Sequence, residues 1–510
     1  MKKIWKHLFN QNMLYILLML VQIAFLVLSV LFLNRNYAWV YGALLLLNGL
    51  LIIYITNSRK NPTYKNAWLV VIAVLPIFGG LSYLFLKTRR DTRIFFHNYE
   101  QQMEQTKPLL VQEPDAARHL FNDSQQVYNL STYLQHTGFP VYEQTNVTYF
   151  PLGEEQFAEM KNRLREAKRF IFIEYFIIAP GKMWDEFLEI LIERARAGVE
   201  VRLMYDGFGT KFFSTGDFLK IAKQHHIQCR CFNPFRPLLS SAQNNRDHRK
   251  ILVIDGRVGF TGGVNLADEY INAVDRFGHW KDAAVLITGE AAWSMTLMFQ
   301  EMWAMVTGKD EDFAAYYPWQ DAPCPVKGRG MVQPYGDTPL DQENVCEHVY
   351  RQILDTARDY VYITTPYLIL DATMLSSLSL AAKSGVDVRI ITPGIPDKKL
   401  VYQTTRSYYA PLVRRGVRIY EYTPGFIHQK QTLCDGETAT VGTINFDYRS
   451  LYHHFENGVL LHGCGAIGAI GEDFAQIFEV SREVTEQYKG KRSMGLRIIQ
   501  CILRLFAPLL

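Results

Sequence analysis

Two short stretches carry residues whose types and spacing could do chemistry. The first is His248-Arg249-Lys250 with Asp255 five positions on, followed by Gly262-Gly263-Val264-Asn265. The second is His428-Gln429-Lys430 with Asp435 five positions on, followed by Gly442-Thr443-Ile444-Asn445. One His-x-Lys could be a satisfied core histidine, but two copies with the same downstream Gly-x-x-Asn point to a shared task. On a strand, residues two apart face the same side, so each histidine and lysine can enter one pocket. A histidine whose other ring nitrogen is fixed by a carboxylate can attack phosphorus, and a second can protonate the departing alcohol and then activate the incoming one. Lys250 and Lys430, with Asn265, Asn445 and the backbone N–H groups near Gly263 and Thr443, would neutralise the phosphate oxygens. Asp255 and Asp435 complete the motifs but sit beside Gly256 and Gly436 at strand ends, and read as tying down a turn. No acidic or Cys/His cluster with metal spacing accompanies them, so neither metal nor cofactor is expected.

The elements that must position these residues also come twice. Phe170–Ile178 reads as a strand, Trp184–Ala197 as a helix and Val199–Tyr205 as a strand, and the order returns at Tyr360–Thr365, Thr373–Lys383 and Val386–Ile391. Each helix ends in a basic residue, a small residue and glycine (Arg196-Ala197-Gly198 and Lys383-Ser384-Gly385), the expected stop. A further strand follows in each copy, Gln228–Phe232 and Val417–Tyr422. Strands alternating with helices predict an α/β fold of two pseudo-symmetric lobes, each a mixed, mostly parallel sheet between helices, with the site at their junction.

The chain has 510 residues, so several domains are expected. The predicted boundaries are 1–95 for a membrane anchor, 96–150 for a linker, 151–335 and 336–488 for the lobes, and 489–510 for a basic amphipathic tail. Apolar runs at Met13–Leu33, Ala38–Ile55 and Trp68–Leu86 are each near the roughly 20 residues a spanning helix needs. Pro76, Gly79 and Gly80 interrupt the third, which reads as bending back and leaving the lobes cytoplasmic behind a multi-pass anchor. The tail, with Arg497 and Arg504 on one face, reads as lying in the interface of an anionic membrane rather than docked on the enzyme. A net charge of +4 makes no case for nucleic acid, and seven scattered cysteines imply no disulfide framework. Cys229-x-Cys231, His225-His226 and His453-His454 read as packing or surface residues. Glu174, an acid inside an apolar strand, either lines the cleft or sits at the strand's exposed end.

These motifs resemble the phospholipase D superfamily and, within it, the bacterial cardiolipin synthases. Further matching stretches are Asn61-Pro62…Trp68, Pro76-Ile77-Phe78-Gly79-Gly80, Ile173-Glu174-Tyr175-Phe176, Asp268-Glu269-Tyr270, Trp280-Lys281-Asp282, Thr365-Pro366-Tyr367, Asn445-Phe446-Asp447-Tyr448-Arg449-Ser450 and Phe455-Glu456-Asn457. Thr443, where serine is commoner, and the absence of a proline in Leu368-Ile369-Leu370 are departures. The resemblance implies transfer of a phosphatidyl group between phosphatidylglycerol molecules in the cell membrane, with His248 as nucleophile and His428 as acid/base, an assignment the symmetry leaves exchangeable. Water or another alcohol as acceptor stays open. It also implies that Asp282 and Glu456 each hold a catalytic histidine across the lobe junction.

Overall fold

The computed structural model describes residues 38–58, 61–75, 78–86, 99–110, 112, 114–210, 217–234, 244–341, 343–490 and 493–507. The chain divides into two compact units, an N-terminal one and a larger body from residue 90 to 507 that excludes 235–243.

In the N-terminal unit three helices, Ala38–Thr56, Pro62–Val74 and Phe78–Leu86, bury Leu51, Ile55, Trp68, Ile72 and Tyr83 against one another. The Asn61 side chain accepts from Thr63 N–H and Pro62 takes the first helical position, a strong start. Lys65 Nζ closes the preceding helix by donating to the carbonyls of Thr56 at 2.9 Å and Ser58 at 2.7 Å. Gly80 lets the helices approach, since a Cβ there would stand 2.2 Å from Asn48 Oδ1. Among the described residues no helix is long and apolar enough to cross a membrane. The multi-pass expectation is therefore not met there: the first run lies outside the described residues, and the third is split between Val74 and Phe78.

The first lobe is built on β1 (Thr145–Phe150), β2 (Phe170–Tyr175), β3 (Glu200–Asp206), β4 (Gln228–Phe232), β5 (Arg246–Asp247), β6 (Lys250–Ile254), β7 (Val258–Gly262), β8 (His279–Lys281) and β9 (Ala284–Gly289). The second is built on β10 (Met331–Asp337), β11 (Tyr360–Thr364), β12 (Asp387–Pro393), β13 (Arg418–Tyr422), β14 (Gly425–Ile427), β15 (Gln431–Cys434), β16 (Thr438–Gly442), β17 (His454–His462) and β18 (Ser481–Glu483). The sheet orders, β1-β9-β7-β6-β2-β3-β4 and β10-β17-β16-β15-β11-β12-β13-β18, repeat one plan.

Along these orders the β2-β3-β4 and β11-β12-β13 neighbours are parallel and the others antiparallel, which corrects the mostly parallel expectation. The reason lies at the motif strands. Each leaves through a three-residue turn that opens Asp-Gly with both residues at positive φ, 53° and 71° at Asp255-Gly256 and 51° and 67° at Asp435-Gly436. Such a turn returns the chain as a hairpin, and no crossover helix follows. Asp255 also accepts the N–H groups of Lys168, Arg169 and Phe170 at 2.7–2.9 Å, as Asp435 does those of Arg358, Asp359 and Tyr360. These aspartates pin the start of β2 and β11 and touch none of the motif histidines or lysines. Asp255→Ala should cost about 2–3 kcal/mol through lost charged hydrogen bonds and left-handed strain, with Asp255→Asn milder; a thermal melt checks the order.

Within 96–150 the described residues carry helices and a strand. Helix Gln125–His136, capped by the Ser124 hydroxyl, sends Leu130 and Leu134 into the second lobe's core, and β1 forms the edge of the first lobe's sheet. Its polar alternation hid a half-buried edge strand, whose burial is set by β9. The lobes share a core in which the almost wholly buried helix Ala292–Thr307 contributes Phe299 and Trp303, and the second lobe Val441, Val459 and Phe474.

Candidate active site

The two lobes exchange strands at the point where chemistry is expected. β5 leaves its own sheet and pairs in parallel with the start of β17, so that His248 N–H donates to Phe455 O at 2.9 Å. β14 likewise pairs with β8, and His428 N–H donates to Lys281 O at 2.7 Å. Each histidine is thereby set directly beside the next residue of the opposite lobe, which in both cases is an acid.

His248 Nδ1 lies 2.9 and 3.0 Å from the two Glu456 carboxylate oxygens, and His428 Nδ1 lies 2.6 Å from Asp282 Oδ2. A carboxylate can only accept, so Nδ1 carries the proton and the Nε2 lone pair is free of the acid. Burial drives both imidazoles toward the neutral form, His248 to about 3 and His428 to about 4. Burial alone would raise the acids, but His248 holds Glu456 well below the usual carboxylate range and His428 lowers Asp282.

Lys250 Nζ donates to His248 O at 2.6 Å, and Lys430 Nζ bonds His428 O and stands 2.8 Å from His428 Nδ1. Burial lowers Lys250 to about 8 and Lys430 to about 7. Lys250 repels both His428 and Lys430, while Asp282 and Glu456 attract both lysines, so the two motifs form one electrostatic neighbourhood.

The other expected phosphate ligands fall differently. Gly263 N–H is bonded to Ala283 O, and a Cβ at Gly263 would meet Asp282 Oδ1 at 1.9 Å, so this glycine makes room for the acid. Thr443 N–H is bonded to Asn457 O, and its hydroxyl donates to Glu456 Oε2. Gly263 and Thr443 therefore support the acids rather than present donors to a phosphate. Asn265 accepts from Ile177 N–H and donates to Tyr270 OH, while Asn445 Oδ1 is buried without a hydrogen-bond partner among the described residues.

Glu174 is neither in the cleft nor at an exposed strand end. Its carboxylate is fully buried 2.7 Å from Arg249 Nε, on the face of β6 opposite His248 and Lys250. The residue between each histidine and lysine thus anchors the motif from behind; Gln429 does so through Asp473 at 2.8 Å.

Sequence reasoning missed the residues that wall the imidazoles. Phe176 meets His248 edge-on at 5.0 Å, Tyr270 meets His428 edge-on at 5.4 Å, and Trp280 lies 5.3 Å from His428. His454, expected on the surface or in packing, is buried 5.5 Å from His248. Trp280 and His454 each stand two residues before an acid on a strand, a spacing that puts both side chains on the acid's face. The structure also gathers His248, His454 and Glu456 into a group that linear spacing did not reveal.

The family described as "Cardiolipin synthase, PLD-like domain" matches residues 160–303 and 350–478, and one described as "Phospholipase_D-nuclease N-terminal" matches 46–87. The chain is 45% identical over 460 residues to an uncharacterized protein of Streptococcus mutans, covering 90% of this chain and 99% of that one. It is 32% identical over 491 residues to a cardiolipin synthase of Halalkalibacterium halodurans, covering 94% and 97%. It is 34% identical over 474 residues to cardiolipin synthase 2 of Bacillus cereus, covering 90% and 89%. The crystal structure of phosphatidylserine synthase from Haemophilus influenzae superposes with a TM-score of 0.57 at 13% identity, over 75% of this chain and 99% of that one, a likeness of fold alone.

Proposed function

The chain belongs to the cardiolipin synthase family of phospholipase D-like phosphatidyltransferases, and from that footing we propose that it joins two phosphatidylglycerol molecules into cardiolipin with release of glycerol. The observation that carries this reading is the pair of neutral imidazoles, each with Nδ1 held by an acid from the opposite lobe. Nε2 of His248 attacks phosphorus of the first lipid; a P–N bond forms, the P–O bond to glycerol breaks, and His428 gives the leaving oxygen its proton. In the second step His428 takes the proton of the second lipid's glycerol hydroxyl, the oxygen attacks phosphorus, and the P–N bond breaks. Burial keeps both imidazoles neutral, so His428 takes up from water the proton it donates as the anionic phosphodiester binds, the negative charge raising the imidazole's affinity for it.

Lys250 and Lys430 hold the phosphate oxygens only while charged. Their lowered values mean that charge is lost as pH rises through the range 7 to 8. The kcat/KM should therefore fall roughly tenfold or more between pH 7 and 9, and Lys430→Arg, which stays charged, should move the fall to higher pH. An initial-rate pH profile checks both.

The protein works at a lipid surface. Leu45, Leu46, Leu50 and Ile53 are exposed on the N-terminal helix, and residues 46–87 match the N-terminal family. The tail helix Met494–Phe506 packs on helix Lys399–Val413, burying Gln500, and leaves Leu496, Ile498, Ile499, Ile502 and Phe506 exposed beside exposed Arg497. That face suits the interface of an anionic membrane. The lobes lie on the cytoplasmic side, a reducing setting that fits seven free cysteines. The deciding experiment incubates the purified protein in detergent with phosphatidylglycerol labelled in its headgroup. Cardiolipin with one glycerol per turnover is expected; phosphatidic acid alone would make water the acceptor and sink the synthase reading.

A further inference from the structure

The two half-sites differ at one wall. Two residues before Asp282 stands Trp280, beside His428; two residues before Glu456 stands His454, beside His248. An indole offers no lone pair to a metal, and an imidazole does. His454 is 8% exposed, and neither of its ring nitrogens has a hydrogen-bond partner among the described residues. Such a group is costly to bury, and its polar edge needs an occupant. Its Nδ1 stands 3.6 Å from Glu456 Oε1, beyond hydrogen-bond length, and the same oxygen lies 2.9 Å from His248 Nδ1.

We propose that His248, His454 and Glu456 bind one divalent transition-metal ion of the zinc type, and that the bound ion switches the enzyme off. Two imidazoles and one carboxylate with an open fourth position is a known zinc donor set. With bonds of about 2.0–2.2 Å, tetrahedral zinc places neighbouring donor atoms roughly 3.3 Å apart. The two edges to the carboxylate, 2.9 and 3.6 Å, bracket that spacing, and all three donor atoms lie within 4.8 Å of one another.

Inhibition follows from proton bookkeeping on one ring. A neutral imidazole carries a single N–H. When the metal takes Nδ1 of His248, that proton exchanges through water to Nε2, and the lone pair that attacks phosphorus is gone. No bond is broken and no oxidant is needed, so removing the metal restores the enzyme. The His428 half has tryptophan at the matching position, so it is spared. Metal binding itself does not depend on the reaction; inhibition rests on the reading of His248 as nucleophile.

The test uses full-length protein in detergent, stripped with chelator and titrated with Co2+, whose visible bands report tetrahedral coordination. One Co2+ per chain is expected, displaced by one Zn2+. His454→Phe and His454→Gln should lose the tetrahedral bands and need at least tenfold more zinc to halve phosphatidyl transfer. Unchanged bands in these variants, or no cobalt bands in the unaltered protein, would overturn the site. Should both variants melt early, X-ray absorption of the zinc-loaded unaltered protein decides: two imidazoles in the shell support the site, and one or none refutes it. Zinc bound with these ligands but without inhibition would remove the switch and the nucleophile assignment, leaving the binding site standing.

Discussion

His428→Ala should form the covalent intermediate and fail to release it. In this variant His248 keeps its carboxylate partner Glu456 and the flanking Lys250. What it lacks is the proton for the leaving oxygen and the base for the incoming one. A phosphatidyl ester of p-nitrophenol removes the first need, because nitrophenolate leaves without a proton. With that donor, His428→Ala should release one equivalent of nitrophenolate per site and then stop, with the phosphatidyl group visible on His248 by mass spectrometry. His248→Ala should give no burst. Both variants should lose at least about 10⁴-fold in turnover with phosphatidylglycerol, as expected when a nucleophile or its acid/base partner is deleted. A burst from His248→Ala with the adduct on His428 would exchange the two roles.

The second large effect separates the acids. Asp282 Oδ1 accepts Ala283 N–H at 2.9 Å while Oδ2 accepts His428 Nδ1–H, so both oxygens face fixed donors. In Asp282→Asn one of them becomes an NH2. The backbone donor cannot turn, so the amide nitrogen faces His428 and forces its proton to Nε2. The loss should be about 10³–10⁴-fold in kcat, the scale of a wrong tautomer. Glu456 is placed differently. Its Oε2 accepts from the Thr443 hydroxyl, and that hydroxyl can rotate to donate to Asn457 O, 3.1 Å away. In Glu456→Gln the amide nitrogen can therefore donate to Thr443 while the amide oxygen keeps His248 Nδ1–H. The lost charge should cost about 10–10²-fold, and Thr443→Val should deepen it. Steady-state kinetics of the three variants test the ranking; equal losses from both acid substitutions would refute the hydroxyl's role.

Much of this site was legible in the chain because its residues repeat. The two His-x-Lys pairs and the Asp-Gly turns are local patterns that a short stretch of chain displays. The acids came from resemblance, and linear spacing could not have found them: His248 and Glu456 are 208 residues apart, His428 and Asp282 146. Gly263 and Thr443 looked like phosphate ligands because both sit beside the motif asparagines. Only the folded backbone reveals that their N–H groups are engaged, by Ala283 and Asn457. The parallel-sheet expectation failed for a related reason. Three strands per lobe follow the strand–helix alternation, and the others follow hairpins whose partners are set by tertiary pairing. Glu174 was undecidable locally because its partner, Arg249, lies 75 residues on, between β5 and β6.

The strand exchange has a consequence for the enzyme's own birth. While a ribosome is still making the chain, the stretch up to residue 281 carries His248 with no acid to hold it. Glu456 must emerge before His248 can be oriented, and the fold of both lobes must close before β5 finds β17. A growing chain is thus harmless to any lipid it meets. Activity arrives in one step, near the end of synthesis, so a chain truncated anywhere before residue 456 should be inert rather than a leaky lipase.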